Sequence, residues 1–278
     1  MLYAELDAFE PVAIVEHPTG DGWRVFFRTA AHRDAAGGAL AAEFGNALLE
    51  ILATDVDDED WARRSQASLK AIRAGRIVVA PPWDAPNPSS LIPNLSIPES
   101  DPITIIIEPS MGFGTGHHAT TRLCLELLQR AQVAGRRVID VGTGSGVLAL
   151  AARALGASSV LAVDNDPDAL QNARENIERN GASGAIEVVE LDLSAASEGS
   201  KGGWHLLSIE PGDIVLANLT PAVLTRFSSA LLGLVGAGGI LIASGFGSGE
   251  LDEIAQALGA RSQQVMTEGE WVAAEFGF

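Results

Sequence analysis

From residue 103 onward, short apolar runs alternate with stretches whose apolar residues recur every three or four positions. Ile103 to Ile107, Arg137 to Val141, Ser159 to Val163, Ile186 to Leu191, Asp213 to Ala217 and Gly239 to Ala243 have the length and apolar density of buried strands. Between them, Thr120 to Gln132, Gly146 to Leu155, Pro167 to Asn180 and Pro221 to Leu234 carry helical periodicity. This alternation predicts an α/β fold built on a doubly wound, mostly parallel sheet. The chain closes with Gln263 to Met266, a turn around Gly269, and Trp271 to Phe276, a hairpin expected at one edge of that sheet.

The residues before it follow another pattern. Val12 to Val15 and Trp23 to Phe27 flank the turn signal Pro18-Thr19-Gly20-Asp21-Gly22, which predicts a β-hairpin, and Asp34 to Leu49 is Ala-rich and helix-like. A small α+β module is expected there. From Asp57 the chain runs from acids to Lys70 and Arg73 before Gly75, the charge order that suits a helix dipole, so a linking helix over 57–75 is expected. Ile77 to Val79 is a strand candidate, and the Pro-, Ser- and Asn-rich stretch from Pro81 to Pro102 reads as a surface loop. The long apolar stretch Ala230 to Phe246 is broken by five glycines, which excludes a membrane span.

A length of 278 residues suits two domains, and a hydrophobic share of 47% excludes wholesale disorder. The formal charge of −18 repels phosphate backbones and anionic membranes, so stable nucleic-acid binding is not expected. Thirteen acids against three basic residues place more than half of that charge in positions 1–60, and this acidic start of the chain favours a basic partner. The single Cys124, on an apolar helical face, makes neither an internal disulfide nor a cysteine metal cluster. Met1-Leu2-Tyr3-Ala4-Glu5 lacks the regions of an export signal, so a cytoplasmic location is expected.

Candidate chemistry gathers at the ends of the predicted strands. Val138 to Gly146 is an apolar strand running into a turn with glycines at 142, 144 and 146 that opens a helix, where backbone amides can face a nucleotide-like ligand. The spacing departs from the G-x-G-x-x-G of a dinucleotide site, since Val147 holds the third glycine's place. Asp164, ending the next strand, can accept two hydrogen bonds from a ribose diol, while Asp166, directly before Pro167, suits a helix cap. Asp192 and Leu193 follow the next strand, where an adenine edge or an ordinary loop is expected. Asn218, in Ala217-Asn218-Leu219-Thr220-Pro221, offers an uncharged acceptor and donor that can orient an amine. Phe113-Gly114-Thr115-Gly116-His117-His118-Ala119-Thr120-Thr121 is a polar loop before a helix; Thr120 or Thr121 can cap that helix or meet a ligand carboxylate. His117 and His118 read as loop or substrate contacts rather than metal ligands. No nucleophile elbow, Asn-Pro-Pro-Tyr run or dedicated base is visible.

Taken together, these residues resemble a class I methyltransferase that uses S-adenosyl-L-methionine, and the loop from Phe113 to Thr121 resembles the ribosomal protein L11 methyltransferase family in particular. The likeness extends through Glu59-Asp60-Trp61, Val138 to Gly146, Asp164, Asn176 to Gly181, Ala217-Asn218-Leu219 and Gly269-Glu270-Trp271. The resemblance implies a seven-stranded, Rossmann-like sheet over residues 76–278, a linking helix over 57–75, and a substrate-recognition domain over 1–56. It implies cofactor contacts at Thr121, Gly142, Asp164 and Asn218, to which the glycine turn adds Gly144 and Gly146. It also implies methylation of lysine side chains or an N-terminal α-amine of a basic protein, free ribosomal protein L11, with S-adenosyl-L-homocysteine as product. Ser110 and Gly112 depart from the family's usual glycine and alanine. Methylation of another protein, of a small molecule or of nucleic acid, and cofactor binding without catalysis, stay open at this point.

Overall fold

The computed structural model describes residues 9, 13–16, 23–27, 29–44, 51–53, 69–85, 101–109, 117–196 and 209–278. The chain divides into two units, Met1–Ser65 and Gln66–Phe278. In the first, β1 (Ala13–Glu16) pairs antiparallel with β2 (Trp23–Phe26), as the flanking apolar runs predict. Helix α1 (Ala30–Phe44) follows, starting four residues before the expected Asp34 because the Thr29 hydroxyl accepts from the His32 amide at 3.2 Å. The expected turn at 18–22 lies outside the described residues.

The second unit contains two sheets. A small one orders β3 (Ile72–Ala74), β4 (Ile77–Ala80) and β5 (Ile103–Ile106), with β3 antiparallel and β5 parallel to β4. Residues 72–74 are therefore strand, not the tail of the linking helix expected over 57–75, most of which lies outside the described residues. The reason is Gly75: at φ +58° it turns the chain straight back onto β4. Its missing Cβ also leaves room for the Gln129 amide, whose Oε1 accepts from Arg76 N at 2.8 Å and whose Nε2 donates to Ala74 O at 3.0 Å.

The large sheet has seven strands in the order β11-β12-β10-β9-β6-β7-β8. Its parallel part comprises β6 (Arg137–Val141), β7 (Ser159–Asp164), β8 (Ile186–Glu190), β9 (Gly212–Asn218) and β10 (Val235–Gly247). The hairpin β11 (Ser262–Glu268) and β12 (Trp271–Gly277) closes one side antiparallel, with β11 at the edge. Ile103 to Ile107 had the pattern of a strand of this sheet, yet β5 belongs to the small one.

Strand residues alternate between two apolar cores, as period-2 geometry requires. Val138, Val160, Ile214 and Ile242 face α2 (Ala119–Arg130), α3 (Val147–Ala154) and the small sheet. Ile139, Leu161, Val215 and Leu241 face α5 (Pro221–Arg226), α6 (Ser228–Gly233) and α7 (Leu251–Leu258). Helix α4 (Pro167–Arg179) follows β7 and buries Leu170, Ala173, Asn176 and Ile177. The single helix expected over Pro221 to Leu234 is two, broken at Phe227, and α7 was not foreseen. Among the described residues no helix is long and apolar enough to cross a membrane.

Candidate cofactor and methyl-transfer site

Because β6 to β9 run parallel, their carboxyl ends lie along one edge of the sheet, and the candidate residues Gly142, Asp164, Asp192 and Asn218 all follow or end these strands. The glycine turn stands on three left-handed residues, Gly142 at φ +70°, Gly144 at +54° and Gly146 at +81°, a backbone that side chains disfavour. The amides of Gly142 and Thr143 donate to Val163 O at 2.9 and 3.0 Å, tying the turn to the end of β7. A Cβ on Gly142 would meet the end of the Leu219 side chain, Cδ2, at 2.4 Å, so the residue after Asn218 packs directly on this turn.

Asp164 completes the turn from the neighbouring strand. Its Oδ2 accepts from Gly144 N at 2.9 Å and its Oδ1 from Asp166 N at 3.1 Å, leaving further lone pairs on both oxygens. Asp166 caps α4, accepting from Asp168 N at 2.9 Å, as its place before Pro167 predicts. Asp192 is exposed and its Oδ1 accepts from Ser194 N at 2.8 Å; hydrogen bonds from Ser194 hold its carboxyl below the usual carboxylate range.

Asn218, at the end of β9, donates through Nδ2 to the buried Thr121 Oγ1 at 3.3 Å, bringing together residues 97 positions apart. Thr121 is placed by the first turn of α2, whose cap is His118 rather than Thr120 or Thr121. His118 Nδ1 accepts from Thr120 N at 3.4 Å and meets Thr120 Oγ1 at 2.8 Å, while its ring lies edge-on to Trp271 with centroids 4.7 Å apart. His117 Nε2 faces Lys70 O at 2.8 Å. Both histidines thus hold the entry to α2 in place. Phe113, Gly114, Thr115 and Gly116, with Ser110 and Gly112, lie outside the described residues.

Arg122 locks the same corner. Its Nε donates to Glu268 Oε2 at 3.0 Å, its Nη2 to Glu268 Oε1, and its Nη1 to His117 O. The paired guanidinium holds the Glu268 carboxyl below its usual range, and Glu268 raises Arg122 in turn. Among the described residues no group of three His, Cys, Asp or Glu side chains could hold a metal ion.

Sequence reasoning passed over Asp140, although an acid inside an apolar strand is the signal for it. It is 1% exposed beneath the glycine turn. Oδ2 accepts from Thr143 Oγ1 at 2.7 Å and from Ala149 N at 3.1 Å, but Oδ1 has no partner. Burial pushes the carboxyl up to about 6, against the lowering effect of those two hydrogen bonds. A folded-state value above the unfolded ~3.9 stabilises most at low pH, and that contribution is lost as pH rises through about 6. Asp140→Asn should therefore flatten the fall in stability between about pH 4 and 6, a change of about 3 kcal/mol at most by linkage. Urea melts of both proteins at pH 4.5 and 7.5 check this, and parallel pH profiles would refute it.

A family model for ribosomal protein L11 methyltransferase (PrmA) matches residues 24–277. The chain belongs to this family. It is 37% identical over 224 residues to the ribosomal protein L11 methyltransferase of Heliobacterium modesticaldum, covering 79% of this chain and 64% of that one. It is 40% identical over 222 residues to that of Pelotomaculum thermopropionicum, covering 78% and 65%. The chain thus spans just under two thirds of the length of these curated relatives. A crystal structure of ribosomal protein L11 methylase from Lactobacillus delbrueckii subsp. bulgaricus superposes with a TM-score of 0.61 at 29% identity, over 75% of this chain and 98% of that one. Membership of the L11 methyltransferase family thus accounts for the class I fold and its large, mostly parallel sheet.

Proposed function

We propose that this chain transfers methyl groups from S-adenosyl-L-methionine to amines of a basic protein, lysine side chains or the N-terminal α-amine of free ribosomal protein L11, in the cytoplasm. The observation that carries this reading is the Asn218–Thr121 hydrogen bond, which holds an uncharged amide at the sheet edge shared with the glycine turn and Asp164.

The residues present suit the cofactor. Gly142, Gly144 and Gly146 make a cradle that a Cβ would obstruct or strain, Asp164 keeps acceptor capacity for a ribose diol, and Asp192 with Leu193 stands on the adenine side. The Asp140 Oδ1 beneath the turn is a buried acceptor still without a donor. When bound, S-adenosyl-L-methionine supplies an electrophilic sulfonium methyl that a neutral amine takes by direct displacement, leaving S-adenosyl-L-homocysteine.

The protein's part is alignment in a site poor in water. Asn218 Nδ2 is engaged by Thr121, so its Oδ1 is turned to accept an N–H from the substrate amine and aim the lone pair. Solvent takes the proton from the lysine ammonium beforehand; with an ordinary pKa of ~10.4 this leaves a small neutral fraction, and that fraction reacts. The acidic residues 1–56 act as the recognition module, steering a cationic partner to residues 76–278.

The test is to incubate the purified chain and methyl-labelled S-adenosyl-L-methionine with ribosomal proteins from a methylation-deficient source and to locate label by mass spectrometry. Label on L11 is expected. Label on another protein would move the substrate, and no transfer to any protein would overturn the reading. Asn218→Ala should lower kcat/KM about tenfold or more, the worth of one hydrogen bond of ~1.5 kcal/mol.

A further inference from the structure

Two buried asparagines one turn apart, Asn176 in α4 and Asn180 at its C-cap, face in a direction that methyl transfer does not explain. Asn176 and Asn180 are both 0% exposed. Asn180 Oδ1 accepts from Ile106 N at 2.8 Å and its Nδ2 donates to Ile106 O at 2.7 Å, so one side chain satisfies both backbone groups of Ile106, the last residue of β5, as a neighbouring strand would. Asn176 Oδ1 continues along the same edge, accepting from Glu108 N at 2.9 Å, and Arg179 pairs with Glu108 Oε2 at 3.0 Å. This explains why β5, open on the side away from β4, does not join the large sheet: α4 closes its free edge with side-chain amides.

Only Asn176 reaches further. Its Nδ2 donates to Ser145 O at 3.0 Å, inside the glycine turn, and to Asn172 Oδ1 at 3.1 Å. The helix lies directly against the turn: a Cβ added at Gly146 would lie 3.5 Å from Ala173 Cα, in ordinary contact. One amide group thus joins the peptide carbonyl two residues from Thr143 to the backbone at Glu108, 37 positions earlier in the chain.

We propose that Asn176 is a positioning residue for cofactor binding: through Ser145 O it holds the Gly144–Gly146 turn in the conformation that the cofactor meets, and through Glu108 N it fixes that turn to the end of the β5 segment. It touches no cofactor atom itself. The inference rests on the function proposed above. Asn180 provides the internal control, because it makes an equally buried set of hydrogen bonds to β5 with none to the glycine turn.

The experiment measures S-adenosyl-L-homocysteine affinity by calorimetry, with urea melts alongside, for the full chain and for Asn176→Ala, Asn176→Asp and Asn180→Ala. Asn176→Ala and Asn180→Ala should lose comparable stability, yet only Asn176→Ala should bind at least about tenfold more weakly, the effect of one lost hydrogen bond at a preorganised site. In turnover with labelled cofactor, the KM for cofactor should rise more than kcat falls. Should Asn176→Ala not fold, Asn176→Asp retains the acceptor for Glu108 N while removing the donor to Ser145 O, and its affinity decides. Unchanged affinity in the Asn176 variants, or equal weakening in Asn180→Ala, overturns the proposal while leaving the function standing. A wild-type chain that binds no S-adenosyl-L-homocysteine overturns both.

Discussion

Asp164→Ala should weaken S-adenosyl-L-homocysteine binding by about two orders of magnitude or more while the protein stays folded. The carboxylate stands at the end of β7 on a half-buried edge, so its removal opens no cavity in either apolar core. What it removes is charge-assisted hydrogen bonding, at about 1.5–3 kcal/mol for each bond. Two such bonds to ribose hydroxyls give the expected loss, and release of Gly144 N, now held at 2.9 Å, loosens the turn as well. Asp164→Asn should fall between, since its amide keeps one acceptor and presents a donor where an acceptor is needed. Calorimetric titration decides it: an Asp164→Ala affinity within threefold of wild type, in a chain with normal urea stability, removes Asp164 from the cofactor site.

Among the described glycines of the second unit, Gly245→Ala is expected to cost the most stability and to disable the site at the same time. Gly245 lies in β10 at φ +99°, within the register shift between Ser244 and Phe246 opposite β12. A Cβ there would lie 2.1 Å from Leu219 O and 2.7 Å from Leu219 C, both backbone atoms that no rotamer change can move. Leu219 N in turn donates to Ser244 O at 3.0 Å, so the clash would separate the ends of β9 and β10 where Asn218 is placed. Strain of this kind costs on the order of 3 kcal/mol or more. Gly238→Ala is the control: φ is +75° but nothing lies within 4 Å of the new methyl, so only the left-handed penalty of about 1–2 kcal/mol applies. Equal losses for the two variants in urea melts would show that close approach to Leu219 is not what demands glycine.

The candidate site was legible in the chain wherever chemistry is local. A strand that ends in closely spaced glycines can do little but turn, and Asp166 before Pro167 is a cap whatever surrounds it, which freed Asp164 for another task. The histidine pair was legible as a loop feature but not in its role. His118 caps α2 and packs on Trp271, a residue 153 positions later that no local pattern could bring to it. Helix α7, only eight residues long, carries too few turns for its periodicity to stand out, and the unforeseen break in the single helix expected over Pro221 to Leu234 falls at Phe227, an apolar residue with no breaker signal.

The chain's own pattern of apolar and polar positions determined that a parallel sheet forms, where β6, β7 and β9 lie, and that its glycine turn and strand-end acid share one edge. These are consequences of periodicity and backbone sterics, which act within a few residues. Tertiary structure alone decided which sheet receives Ile103–Ile106, since its run of buried apolar residues suits either and Asn180 settles the matter through two hydrogen bonds from 74 positions away. It also decided that Asp140 is a buried acid with a free oxygen, that Asn218 meets Thr121, and that Gly245 must lack a side chain. Each depends on which atoms arrive from distant parts of the chain, and burial and hydrogen-bond partners exist only once they have arrived.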